Sequence, residues 1–235
     1  MPYRAPNQRA VTPQGRGRFA GYDVLDEVDR WDDVTAGAVL ARLAPVTDLS
    51  FFTKEEDAIA TPLCDLLLAQ DGEPKIPVVG LIDTRLALGE SDGWHYDDMP
   101  PDPQAWRETL QHLDADAVRF FELKFAALSS DQQASIVQAV QDKASSSESW
   151  HDKPAQQVWS LWTRYACAAF YSHPWAWNEI GFGGPAYPRG YKNRHVGGRE
   201  PFEVADSTNR DPVPFASRVE DARRNHARLI ESGNA

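Results

Sequence analysis

PAQQVWSLWTRYACAAFYSHPWAWNEIGFGGPAYPRGY, residues 154–191, is the stretch whose reading decides the fold of this chain. Its first half has the spacing of a helix. Pro154 suits a first-turn position, where a missing N–H costs nothing. Val158, Leu161, Trp162, Tyr165, Ala168 and Ala169 then recur at the 3.6-residue period. Trp159, Ala166 and Phe170 fill a second face, so the helix is apolar around most of its circumference and needs other helices, or a partner, to enclose it.

The second half reads as non-helical. Pro174 pushes His173 out of the α region, and Gly181, Gly183, Gly184, Pro185, Pro188 and Gly190 follow as breakers. Trp175, Trp177, Ile180, Phe182, Tyr187 and Tyr191 sit between them. So many rings on a glycine-broken loop either cap the chain's own core or form a docking surface, where Trp, Tyr and Arg concentrate binding energy. The candidate partner-binding residues are therefore Tyr171, His173, Trp175, Trp177, Phe182, Tyr187 and Tyr191, with Arg189 as a polar anchor.

Outward from this stretch the chain reads as helices. Residues 1–19 hold four arginines and no acid and are expected to be a loose arm. Residues 20–44 fit one or two short helices, with Val24, Leu25 and Val28 near Trp31, then Ala38, Val39, Leu40 and Leu43. Thr53-Lys54-Glu55-Glu56 is a capping box opening a helix through Ile59, Leu63, Leu66 and Leu67 that Pro62 is expected to kink. Val78, Val79, Leu81, Ile82 and Leu86 form a second helix stopped by Gly89. Asp102-Pro103 reads as a cap and first-turn proline for a helix carrying Trp106, Leu110, Leu113, Ala117, Phe120 and Phe121. Ser130 and Gln133 are expected to cap the next helix, and Ser145–Ser149 to be a flexible connector. No alternating strand pattern of four or more residues stands out. The expected fold is all-α: a single irregular helical bundle over residues 20–191, then an extended arm over 192–235 with a short charged helix near Ser217–Glu231.

Composition excludes several function classes. A net charge of −11 argues against nucleic acid or an anionic membrane as the main partner. No apolar run is long enough to span a membrane, since Arg164 interrupts the best candidate. Cys64 and Cys167 both fall in apolar helical runs, read as small buried hydrophobes, and their pairing is left open. The histidines His95, His112, His151, His173, His195 and His226 are spread singly, so no metal site is expected; His95 with Asp97 and Asp98 reads as a solvated acidic loop. Gly181-Phe182-Gly183-Gly184 lacks the spacing and flanking elements of a nucleotide fingerprint, and no serine stands in a nucleophile elbow. No catalytic residue and no cofactor-binding residue is therefore assigned to this chain.

Three segments carry a resemblance. Leu49-Ser50-Phe51-Phe52-Thr53-Lys54-Glu55-Glu56, Leu128-Ser129-Ser130-Asp131-Gln132-Gln133, and Phe170-Tyr171-Ser172-His173-Pro174 with Trp177-Asn178-Glu179-Ile180-Gly181-Phe182 and Gly184-Pro185 occur in order. Over residues 49–191 the chain resembles the gluconate 2-dehydrogenase subunit 3 family. The resemblance implies a small non-catalytic subunit that stabilises a glucose-methanol-choline-type flavoprotein oxidising sugars, sugar acids or polyols. FAD is then expected on that partner, and a cytochrome often takes the electrons. Exported members carry a twin-arginine signal. Here Arg4, Arg9, Arg16 and Arg18 precede no apolar region, and Asp23, Asp26, Glu27 and Asp29 follow, so a cytoplasmic location is expected. The rival expectation is a free-standing carbohydrate-binding protein or enzyme using His173, Asp97 or Asp98 in an aromatic pocket.

Overall fold

The computed structural model describes residues 19, 22–44, 48–191, 198, 200–203 and 215–231. Among them the fold is all-α apart from one two-stranded hairpin, as the helical spacing predicts. Of the expected N-terminal arm only Phe19 is described, and most of the expected C-terminal arm before residue 215 lies outside the described residues. The chain divides into two compact units.

The larger unit takes Val46–Leu68, Val78–Cys167 and Pro214–Ala235. It holds α2 (Lys54–Leu68), α3 (Val78–Ala87), α4 (Asp102–Phe121), α5 (Ser130–Ser145), most of α6 (Ala155–Ser172) and α8 (Phe215–Glu231). The capping box of α2 is formed: Thr53 Oγ1 accepts from Glu56 N at 3.2 Å, and the Glu56 carboxylate accepts from Thr53 N at 2.9 Å. Pro62 sits inside α2. Just upstream, the buried Asp83 carboxylate of α3 accepts from Ser50, Phe51 and Phe52 N–H at 2.8, 2.9 and 2.7 Å. Three charge-assisted bonds meet the desolvation cost of that carboxylate and fix the entry to α2. Helix α2 packs on α3, α4 and α5, and α8 packs on α5 with Arg223 paired to Asp142 at 2.7 Å. Trp106, Trp162, Tyr165, Leu110 and Leu113 are fully buried, and Trp162 Nε1 donates to Thr109 Oγ1 at 3.0 Å.

Three local expectations are corrected here. Asp102 does not cap α4; Pro101 holds the N-cap position without a side-chain bond, and Asp102 turns inward to Tyr165 and Arg164. The box of α5 is Ser129 with Gln132, one residue earlier than the Ser130 and Gln133 reading. Gln133 is instead buried and donates to Phe125 O at 2.9 Å. The expected connector after Ser145 ends in a hairpin, β1 (Ser149–Trp150) against β2 (Lys153–Pro154), in which Trp150 is buried edge-on to Trp162 at 5.4 Å.

The smaller unit takes Met1–Pro45, Ala69–Pro77 and Ala168–Val213. It contains a 3₁₀ helix (Val24–Arg30), α1 (Asp33–Ala41), the end of α6, and α7 (Pro174–Ile180). Its core is Val24, Val28, Trp31, Val39 and Trp177, with α7 packed on the 3₁₀ helix. Among the described residues, no helix is long and apolar enough to cross a membrane.

Candidate partner-docking segment

The segment read as loop contains a helix. Pro174 does force His173 into an extended conformation (φ −90°, ψ 137°), but that is the geometry of an N-cap. His173 Nδ1 accepts from Trp175 N at 3.2 Å, and Pro174 occupies the first-turn position where its missing N–H is harmless. The helix ends at Gly181, in the left-handed region at φ 66°. A Cβ there would lie 2.5 Å from the tip of the Phe19 ring, and the left-handed backbone itself favours glycine.

His173 is 2% exposed, and its ring lies edge-on to Trp175 at 4.9 Å. Burial, reinforced by the Arg42 cation, pushes its pKa down to about 4, so the imidazole is neutral and Nδ1 serves as acceptor. That makes His173 a structural cap with no access to a dissolved ligand. Trp177 is also turned inward. It is 5% exposed, donates from Nε1 to Tyr171 O at 2.7 Å, lies edge-on to Phe182 at 5.3 Å, and has the Arg42 guanidinium 5.5 Å from its ring centre. Arg42 in turn donates to Ser172 O at 2.8 Å, satisfying a carbonyl at the end of α6.

Arg189, expected to be an outward anchor, is an internal clamp. One nitrogen donates to Glu27 at 2.6 Å and another to Gly183 O at 2.8 Å, while the guanidinium stacks 3.6 Å from the Phe202 ring centre. Gly183 and Gly184 let the backbone approach these neighbours: a Cβ on Gly184 would meet Trp31 at 2.4 Å, and one on Gly183 would meet Phe202 O at 2.9 Å. Tyr22 donates to Phe182 O at 3.4 Å, and burial with the Glu27 carboxylate nearby raises its phenol to about 12.

The remaining rings face outward. Exposure runs from 40% at Phe182 and 47% at Tyr171 to 64% at Tyr187 and Tyr191, with Ile180 also exposed and Trp175 half-buried. The eight candidates therefore separate into a framework of His173, Trp177 and Arg189, an outward set of Tyr171, Phe182, Tyr187 and Tyr191, and the half-buried Trp175 between them. Sequence reading missed Asn178 and Asp23. Asn178 Oδ1 accepts from Val24 N at 2.7 Å, and Asp23 caps the 3₁₀ helix by accepting from Leu25 N at 3.0 Å. In the sequence the acidic run from Asp23 to Asp29 bore only on the expected location of the chain, not on a cap.

Elsewhere, Asp97 and Asp98 are exposed in the larger unit. Cys64 is buried, but Cys167 is exposed, against the expectation that both are core thiols; α6 turns its Cys167 side outward. Neither is in a disulfide.

Residues 54–184, more than half of the 235-residue chain, match the family model described as Gluconate 2-dehydrogenase subunit 3. No curated protein and no solved structure matches the chain. The match begins at the first residue of α2 and ends at Gly184, so it covers α2 to α7, while the 3₁₀ helix, α1 and the residues Tyr187, Arg189 and Tyr191 lie outside it. With catalytic partner subunits implied by that description, the chain belongs to the gluconate 2-dehydrogenase subunit 3 family.

Proposed function

We propose that this chain is the accessory subunit of a flavin-dependent dehydrogenase of the glucose-methanol-choline type, acting on sugars, sugar acids or polyols. FAD and the reacting substrate reside on the partner, and a cytochrome subunit accepts the electrons. The observation that supports this reading is the outward set Tyr171, Ile180, Phe182, Tyr187 and Tyr191, held on a framework that leaves their apolar surface in water. Exposed rings on a rigid support lose little side-chain entropy on docking, which is why interfaces use them. A stable subunit interface buries on the order of 2,000 Å² or more, with an apolar centre.

Co-expression with a glucose-methanol-choline-type flavoprotein from the same source tests the reading. The pair should co-purify with flavin bound to the large chain. A triple change of Phe182, Tyr187 and Tyr191 to serine should abolish co-purification while the variant chain keeps its helicity. Undiminished co-purification of that variant would exclude this segment as the docking surface.

A further inference from the structure

Histidines that stand singly in the sequence meet in the larger unit. His112 on α4 and His151 at the turn of the β1–β2 hairpin stack face to face, ring centres 4.2 Å apart and planes within 16°. The two rings belong to different elements, so the stack is a contact between α4 and the hairpin. His151 has a left-handed backbone (φ 51°), which an L-residue adopts only when its surroundings hold it there. Its Nε2 lies 3.0 Å from Asp116 Oδ1, and because a carboxylate only accepts, that nitrogen carries a proton. Asp116 Oδ2 accepts from Trp150 Nε1 at 2.7 Å. Trp150 is buried and stands edge-on to His151 and His112 at 5.0 and 5.5 Å. One buried carboxylate of α4 thus holds two neighbouring side chains of the hairpin.

His112 is poorly placed to take a charge. Its Nε2 lies 3.6 Å from Asp152, and its buried Nδ1 has no hydrogen-bond partner among the described residues. Burial, then the neighbouring His151, hold its pKa below the ordinary 6.5. Asp152 and Glu108 act the other way, but Lys153 pairs with both, at 3.1 and 2.6 Å, and itself opposes the charge. Helix α5, which packs on β1, brings Asp142 and Lys143, engaged by Arg223 and Glu148. From α8, His226 senses Asp116 and Asp142, and burial lowers its pKa. No group of these side chains could hold a metal ion among the described residues. Asp116 matches one charge in the stacked pair. A second sets like charges face to face and gives His112 an N–H on both nitrogens, one of them buried without an acceptor.

We infer that the His112–His151 stack is an acid-operated latch, which holds the β1–β2 hairpin on α4 while one ring is neutral and releases it when both are charged. The free ring of an opened hairpin binds its proton more readily than the stacked one. Closure is therefore fully favoured above pH 6.5 and weakens as pH falls below it. Release takes Trp150 from Asp116 and Trp162 and loosens the entry to α6, where Ala155 N donates to Glu148 O at 3.0 Å. The latch uses residues of the larger unit alone and does not depend on the docking role of residues 171–191.

Hydrogen exchange of the full chain at about pH 7.5 and about pH 5, corrected for the intrinsic pH dependence of exchange, tests it. On acidification residues 149–155 should lose about tenfold more protection than α2, the reference for global opening. His112→Phe keeps a ring for the stack but cannot charge, and its hairpin should hold protection at about pH 5 within about twofold of the neutral value. His112→Gln, a second variant without a titrating ring, should likewise lose the acid response, whereas His226→Gln should retain it. An acid response that survives in both His112 variants, or disappears in His226→Gln, would overturn the assignment. So would a parent hairpin that stays protected in acid, or one that opens only together with α2.

Discussion

Asn178 on α7 receives the backbone N–H of Val24 at 2.7 Å, a buried bond between residues 154 positions apart, and its own Nδ2 donates to Asp23 at 3.4 Å. One carboxamide thus satisfies the first turn of the 3₁₀ helix and seats α7 on it. Asn178→Ala should leave the Val24 N–H buried and unpaired, costing about 1–3 kcal/mol. Asn178→Asp should cost more, because it sets a second carboxylate against Asp23. Urea midpoints at constant m-value read both.

Trp177 and Tyr187 should behave oppositely. Trp177→Ala removes a buried ring from the smaller unit's core and should lower the stability of the lone chain by about 3–5 kcal/mol. Tyr187→Ala, at an exposed position, should change it by no more than about 0.5 kcal/mol. In the proposed complex with a flavoprotein, Tyr187→Ala should weaken association by about 1–2 kcal/mol. Denaturation of the lone chains and calorimetry of the assembled pair separate the two roles.

Two glycines with left-handed backbones isolate the contribution of space. At Gly190 (φ 67°) no atom of the described residues lies within 4 Å of an added Cβ, so Gly190→Ala should cost only the conformational term, about 1–2 kcal/mol. At Gly184 (φ 73°) the same methyl would sit 2.4 Å from Trp31, adding about 1–3 kcal/mol of overpacking. Equal thermal shifts for the two alanine variants would contradict the close approach to Trp31.

His173 makes stability depend on acid. Its pKa is about 4 in the folded chain, below the ordinary 6.5, so the unfolded state binds the proton more readily. The neutral ring's contribution is therefore complete above pH 6.5 and is lost as pH falls from about 6.5 toward 4, amounting to about 3 kcal/mol at most. His173→Asn keeps an acceptor at the N-cap without a titrating group. Between about pH 7 and about pH 4.5 it should lose less stability than the parent chain, by denaturant midpoint. An identical pH slope in both would remove His173 as the cause.

Much of this was legible in residues 53–68 and 154–172, where helix formation depends on neighbours three and four positions away. The Thr53 and Glu56 box, the Gly89 stop and the apolar girth of α6 all follow from such short-range chemistry. At His173-Pro174 the same rules gave the wrong element. A proline that ends one helix also starts another, and histidine is an uncommon cap whose ring acts here because burial keeps it neutral. The candidate site divided for a related reason: composition located the rings but carried no information about which way each one faces.

By itself the sequence determined a predominantly helical chain, the capping box that opens α2, and the concentration of aromatic side chains between residues 171 and 191. Only the tertiary structure decided that Trp177, His173 and Arg189 turn inward while Phe182, Tyr187 and Tyr191 face water. The inward set is held by groups from distant segments (Arg42 beside His173 and Trp177, Glu27 on Arg189) together with the local Tyr171 carbonyl. A side chain's burial depends on partners that folding brings to it, and those partners lie beyond the reach of any local pattern.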